Sequence, residues 1–134
     1  MPRRAGKRKK VSQHCALTYA APEAVIAYED DRALAVHSSQ DVWSLAVVAY
    51  ECLTASEVFG ESTGLAAVSK HAHGKKKYPW EEGPHMAEAW AKCPAKALLQ
   101  PCLSRDPTRR PSASELLHSI DAFVKANVKK SFMV

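Results

Sequence analysis

No apolar run in this 134-residue chain approaches the roughly 18 residues that a membrane-crossing helix needs. No apolar segment follows the basic N-terminus, so a secretory signal is not expected there, and the chain reads as intracellular, cytoplasmic or nuclear. The four cysteines, Cys15, Cys52, Cys93 and Cys102, form no C-x-x-C pair, and the two closest stand nine residues apart. Neither a zinc site nor a disulfide framework is expected from that spacing, and Cys52 and Cys102 read as buried free thiols. The five glycines, Gly6, Gly60, Gly64, Gly74 and Gly83, never fall into G-x-G-x-x-G, so a glycine-rich phosphate cradle is lacking. No stretch of convincing length alternates with the period of a strand, and no internal repeat is present. The expected class is all-α.

What is present fits one folded domain: 46% of the residues are hydrophobic and 25% charged. The net charge of +5 is local. Arg3, Arg4, Lys7, Arg8, Lys9 and Lys10 stand in the first ten residues with no acid among them, leaving 13 basic against 14 acidic residues elsewhere. Residues 1–13 read as a basic disordered arm. A lesser alternative is that the arm contacts nucleic acid or an acidic membrane, which would make binding steeply dependent on salt.

Structure is expected to begin near His14. Pro22 suits the first turn of a short helix, because its missing N–H is not needed there, and Glu23 complements the positive helix end. Tyr28 to Ser39 reads as a connection. Ser38 and Asp41 then fit a capping box ahead of Val42 to Leu53, a stretch apolar on almost every side that should be surrounded by protein. A short helix is expected within residues 62–72, ended by Gly74, with two more at Pro84 to Lys92 and Ala95 to Leu103. Pro101 would kink or shorten the last of these. Ser112 and Glu115 form another capping box, and Leu116, Leu117, Ile120, Phe123 and Val124 mark a terminal amphipathic helix.

Three motifs in order carry a family resemblance. Leu17-Thr18-Tyr19-Ala20-Ala21-Pro22-Glu23 resembles the end of a protein kinase activation segment. Asp41-Val42-Trp43-Ser44 and the apolar residues after it resemble the buried central helix of the same family, and Leu53-Thr54 with Val58-Phe59 is similar to the family's leucine, threonine and phenylalanine pattern beyond that helix. Cys102-Leu103-Ser104-Arg105-Asp106-Pro107, running on to Arg110-Pro111-Ser112, is similar to the last motif of the helical lobe. The resemblance covers roughly residues 14–124. It implies a protein-kinase-like C-lobe helical bundle without the N-lobe, with a partial kinase domain over residues 14–126 and a C-terminal tail over 127–134.

The resemblance also implies roles. Glu23 would pair with Arg110, tying the activation segment to the loop before the last helix. Asp41 and Trp43 would anchor the central helix, and Ala16, Leu17, Thr18 and Tyr19 would dock a peptide. The family activity is ATP-dependent phosphorylation of protein Ser or Thr, with ATP and Mg2+ as cofactors and a protein as substrate or partner. In this sequence no Asp-Phe-Gly occurs, Ser69-Lys70 lies in a helical context, and Ser104-Arg105-Asp106 lacks the histidine of a catalytic loop. No catalytic, cofactor-binding or metal-binding residue is therefore expected, and the chain is expected to be inactive alone. The alternative is a non-catalytic, pseudokinase-like interaction module. Two departures stand inside the match: Ala16 replaces the usual Thr, and Ala46 the usual Gly. His71-x-His73 has no ligating partner and reads as a pair of exposed histidines, and Lys75-Lys76-Lys77 reads as a solvated loop leading to core aromatics at Tyr78 and Trp80.

Overall fold

The computed structural model describes residues 17–34, 37–60 and 64–132, the last four of these by backbone alone. Among them there are helices and turns and no strand. Helix α1 spans Pro22–Glu29, with Pro22 at its first positions and Glu23 in its first turn. It continues through Tyr28 and Glu29, which were expected to begin a connection.

Helix α2, Ser38–Thr54, runs through the middle of the bundle. Its N-cap is His37 rather than Ser38: the His37 side chain accepts from the Ser39 backbone N–H at 3.1 Å. Val42, Trp43, Ala46, Val47 and Tyr50 turn one face inward. The opposite face corrects the expectation of an enclosed helix, because Leu45, Val48 and Leu53 are 56%, 46% and 52% exposed and Cys52 is exposed beside them. An all-round apolar helix is enclosed only where neighbours exist on every side, and the described elements cover one side. The helix ends at Ala55 in a left-handed conformation, φ 53°.

Helix α3, Leu65–Ala72, closes at Gly74, whose φ of 76° a residue with a Cβ adopts only under strain. It packs on α1 through a small second core of Val25, Val68 and Ala72. Ser69 Oγ donates to Glu29 Oε2 at 2.9 Å across the same contact. The two proline-started helices are shorter than expected. Residues 84–87 form turns, α4 covers only Glu88–Ala91, and α5 covers Lys96–Leu99 before tightening into a 3-10 turn, Gln100–Leu103, at Pro101. A second 3-10 turn, Pro107–Arg109, leads to α6, Ala113–Phe132. Ser112 Oγ accepts from the Glu115 backbone N–H at 3.1 Å, so this cap sits where the pattern puts it. The helix runs past residue 126, so residues 127–132, read from the sequence as tail, are helical.

The main core is aromatic. Trp43 meets Tyr78 and Trp80 edge-on at 5.1 and 5.4 Å, Tyr78 stacks on Trp80 at 4.8 Å, and Tyr50 joins Trp80 to Trp90. Such pairs add about 0.5–1.5 kcal/mol each beyond the area they bury. Trp90 Nε1 donates to Gln100 Oε1, while the indole N–H groups of Trp43 and Trp80 meet no acceptor. Ala46 is buried in this core, where a methyl is accommodated in place of the family's glycine. Cys102 is buried here too, and burial pushes its thiol up to about 11.

Candidate functional site

Arg110 comes from the turn before α6 and reaches across the molecule to the first turn of α1. Its Nη1 and Nη2 donate to Glu23 Oε1 and Oε2 at 2.6 and 2.9 Å. Two further N–H groups are used as well, Nε on the Ser104 carbonyl at 2.9 Å and Nη1 on the Ser39 carbonyl at 3.2 Å. Its guanidinium lies 5.1 Å over the Trp43 ring. The side chain has no exposed surface, whereas Glu23 keeps 23%. Arginine suits this position because a planar fork satisfies a carboxylate through two parallel bonds and stays charged when buried. One side chain thereby fixes α1, the start of α2 and the loop before α6 relative to one another.

Trp43 is the floor of that arrangement. Asp41, one turn into α2, is exposed and meets no partner among the described residues. The segment from Leu17 to Tyr19 lies along α2: the Tyr19 carbonyl accepts from Ser44 Oγ at 2.8 Å, and Tyr19 Oη donates to Glu51 Oε2 at 3.3 Å. Burial raises the Glu51 carboxyl above its ordinary value, against the lowering effect of the Tyr19 bond. Leu17 packs on the second core, and Thr18 is half-buried. Ala16 lies outside the described residues, as do the basic residues of the arm.

A second arginine, placed by the sequence in the closing motif but given no partner there, has a role of its own. Arg105 Nε and Nη2 donate to the Glu81 carboxylate at 3.1 and 2.7 Å, and its Nη1 and Nη2 reach the His71, Ala72 and Lys76 carbonyls. The guanidinium stands 4.7 Å over the Tyr78 ring. Burial acts to raise the Glu81 carboxyl, but the Arg105 bonds, the Tyr78 backbone N–H and the Arg105 charge outweigh it and hold the group below its usual range. Arg105 thus gathers the end of α3, the loop after it and the Tyr78-Pro79-Trp80 turn. The only local hint is that Ser104-Arg105-Asp106 departs from a catalytic loop.

His71 corrects a further expectation. It is buried, not exposed, with its Nδ1–H donated to the Ala67 carbonyl at 2.7 Å and its ring against Phe59 and Tyr78. Burial lowers its pKa. Val68, His71 and Ala72 share one helical face, and that spacing was the available signal. His73 stays on the surface near Glu29.

Among the described residues no three His, Cys, Asp or Glu side chains converge so as to hold a metal. No chemical step is assigned here to the Mg2+ and ATP that the resemblance implies. No helix among the described residues is long and apolar enough to cross a membrane.

With the Glu23–Arg110 bridge, the central helix and the closing loop in their family order, comparison with known proteins becomes decisive. The sequence model of the protein kinase domain matches residues 3–120. This chain belongs to the protein kinase domain family. It is 31% identical over 101 residues to the ovarian-specific serine/threonine-protein kinase Lok of Drosophila melanogaster, covering 75% of this chain and 20% of that protein. It is 37% identical over 79 residues to mitogen-activated protein kinase kinase kinase A of Dictyostelium discoideum, covering 59% of this chain and 8% of that protein. The chain thus spans a fifth or less of the length of these curated relatives. Its all-α architecture is that of a kinase-like helical lobe.

Proposed function

We propose that this chain is the helical, substrate-side lobe of a protein kinase domain whose activity is ATP-dependent phosphorylation of protein Ser or Thr, inside the cell in cytoplasm or nucleus. We propose further that its own residues do not transfer phosphate. The observation that carries this reading is the Arg110 fork on Glu23, which secures the platform that the Leu17–Tyr19 segment sits on. Both relatives bear kinase names, the first a serine/threonine-protein kinase. Phosphoryl transfer needs groups that position the nucleotide, hold a metal and orient the acceptor hydroxyl, and this sequence contains neither G-x-G-x-x-G nor Asp-Phe-Gly. In this reading Leu17, Thr18 and Tyr19 support an extended peptide, and Asp41 and Trp43 keep the central helix in place beneath it.

The test has two parts. Purified 134-residue chain incubated with ATP, Mg2+ and a generic Ser/Thr substrate should incorporate no phosphate, and transfer above a no-enzyme blank would overturn the inactive reading. Antibody capture of the native product, followed by mass spectrometry, should then yield a protein that carries the catalytic and metal-binding loops.

A second reading, a non-catalytic interaction module, is favoured by the bare face of α2. Leu45, Val48 and Leu53 form an apolar stripe on the most central helix, and such surfaces favour association. A captured product near 14.7 kDa would support this reading, and a monomeric species by light scattering at all concentrations, without co-captured protein, would exclude it.

A further inference from the structure

Beside α3, next to Ala67 and His71, lies a cleft of about 250 Å³ that the proposed function leaves unused. Phe59 and Pro79 give it apolar walls, and Lys76, Lys77, His71 and His85 supply its polar groups. Neither lysine has an ion-pair partner among the described residues; Lys77 Nζ donates only to the Glu82 carbonyl, at 3.3 Å. The acid nearest in sequence, Glu81, is fully engaged by Arg105. Two ammonium groups thus stand at a hollow of mixed polar and apolar lining with no carboxylate within ion-pair distance among the described residues, the Glu81 charge reaching Lys77 only from further off.

Two further features shape its lining. His71 is 6% exposed, and because its Nδ1–H is committed to the Ala67 carbonyl, Nε2 is the polar atom left at the far end of the ring. Gly83, at φ 138°, lets the His85 ring lie against the backbone: a Cβ there would stand 2.8 Å from His85 Cε1 and 3.9 Å from Lys77 Nζ. The rim is shaped by a residue that has no side chain.

We infer that this cleft binds a small aromatic phosphate monoester, its ring between Phe59 and Pro79 and its phosphate between Lys76 and Lys77. Ammonium groups bind phosphate oxygens through short charge-assisted hydrogen bonds, and a ring contributes offset or edge contacts with Phe59. Burial lowers the His71 pKa, with Lys76 and Arg105 acting in the same sense, so the ring is uncharged at pH 7 and the lysines supply the positive charge. A phosphate monoester carries about −1.5 to −2 charges at pH 7 and three acceptor oxygens, enough for both lysines. A carboxylate brings a single charge to the same pair. The inference does not depend on whether the chain is half of a kinase or an interaction module.

The test is a titration of the 15N-labelled full chain with phenyl phosphate, followed by amide shifts, with benzoate and inorganic phosphate as partial probes. Saturable shifts are expected around Phe59, His71, Lys76 and Lys77, with a dissociation constant on the order of 1 mM or below. The double substitution Lys76→Gln with Lys77→Gln, both at exposed positions, should weaken binding about tenfold or more, and each partial probe should bind more weakly than phenyl phosphate. Shifts that do not saturate, that persist unchanged in the double variant, or that concentrate in the basic residues 1–10 would overturn the inference. Equal binding of benzoate would overturn the assignment to phosphate.

Discussion

Arg105 and Arg110 stand five residues apart in the same loop region and solve the same problem in two settings. Each places a guanidinium over a core aromatic ring, takes a carboxylate through two nitrogens and spends its other donors on backbone carbonyls. Their reach differs. Arg110 joins groups 87 residues apart and has no exposed surface, whereas Arg105 holds Glu81, 24 residues away, and keeps 30% of its side chain in water. A buried fork has no substitute when it is lost, while a half-wet one can be replaced in part by solvent. The first arginine therefore organises the whole lobe, and the second one corner of it.

Removal of the buried fork should do the most damage. Arg110→Ala should cost about 3–5 kcal/mol in urea melts, because a wholly buried guanidinium is removed from over Trp43, and Glu23 and the Ser39 and Ser104 carbonyls lose their partner. A loss below about 1 kcal/mol would place the pair among ordinary surface bridges and dissolve the contrast. Arg105→Ala should cost less, about 1–3 kcal/mol, since the Arg105 side chain is itself 30% exposed and water can take its place. Arg105→Lys, which retains charge but not the fork, should fall near about 1 kcal/mol in the same melt.

Acid sharpens the comparison further. The Glu81 carboxyl is held below its unfolded value of 4.5, so its contribution is present above that pH and is lost as the pH falls through the lower folded value. Melts from pH 6 downward should show this loss in the natural chain and a shallower decline in Glu81→Gln. Equal slopes would mean that Arg105 and Glu81 exert no net hold on one another. The smallest effect belongs to Lys92→Ala, which removes an exposed i,i+4 bridge to Glu88 and should change stability by no more than about 0.5 kcal/mol.

The same pair shows what a sequence reveals. Arg110 was legible because the order of motifs gave it a distant partner, Glu23, by resemblance. Arg105 was not, since three of its acceptors are main-chain carbonyls, which every residue has, and Glu81 beside Glu82 gives no sign of which acid turns inward. Composition and missing strand periods pointed to the helical class, and Ser112 with Glu115 marked the start of α6. The enclosure of α2 was misread for a physical reason: apolarity on every side states what a helix could bury, and only its neighbours decide what it does bury. His71 was misread because a histidine beside a lysine run looks wet until Val68 and Ala72 are placed on its face. Pro84 and Pro94 permit a helix start without requiring one, and turns claimed the residues after Pro84.

The aromatic core also gives the protein a built-in optical gauge. All three tryptophans of the chain, Trp43, Trp80 and Trp90, lie within the one cluster and are almost wholly screened from water. Trp43 carries the Arg110 guanidinium, and Tyr78, stacked on Trp80, carries that of Arg105. Intrinsic emission, blue-shifted in the folded state, thus reports from the place where the two arginine anchors converge, and loosening of either registers in the same spectrum without any attached dye.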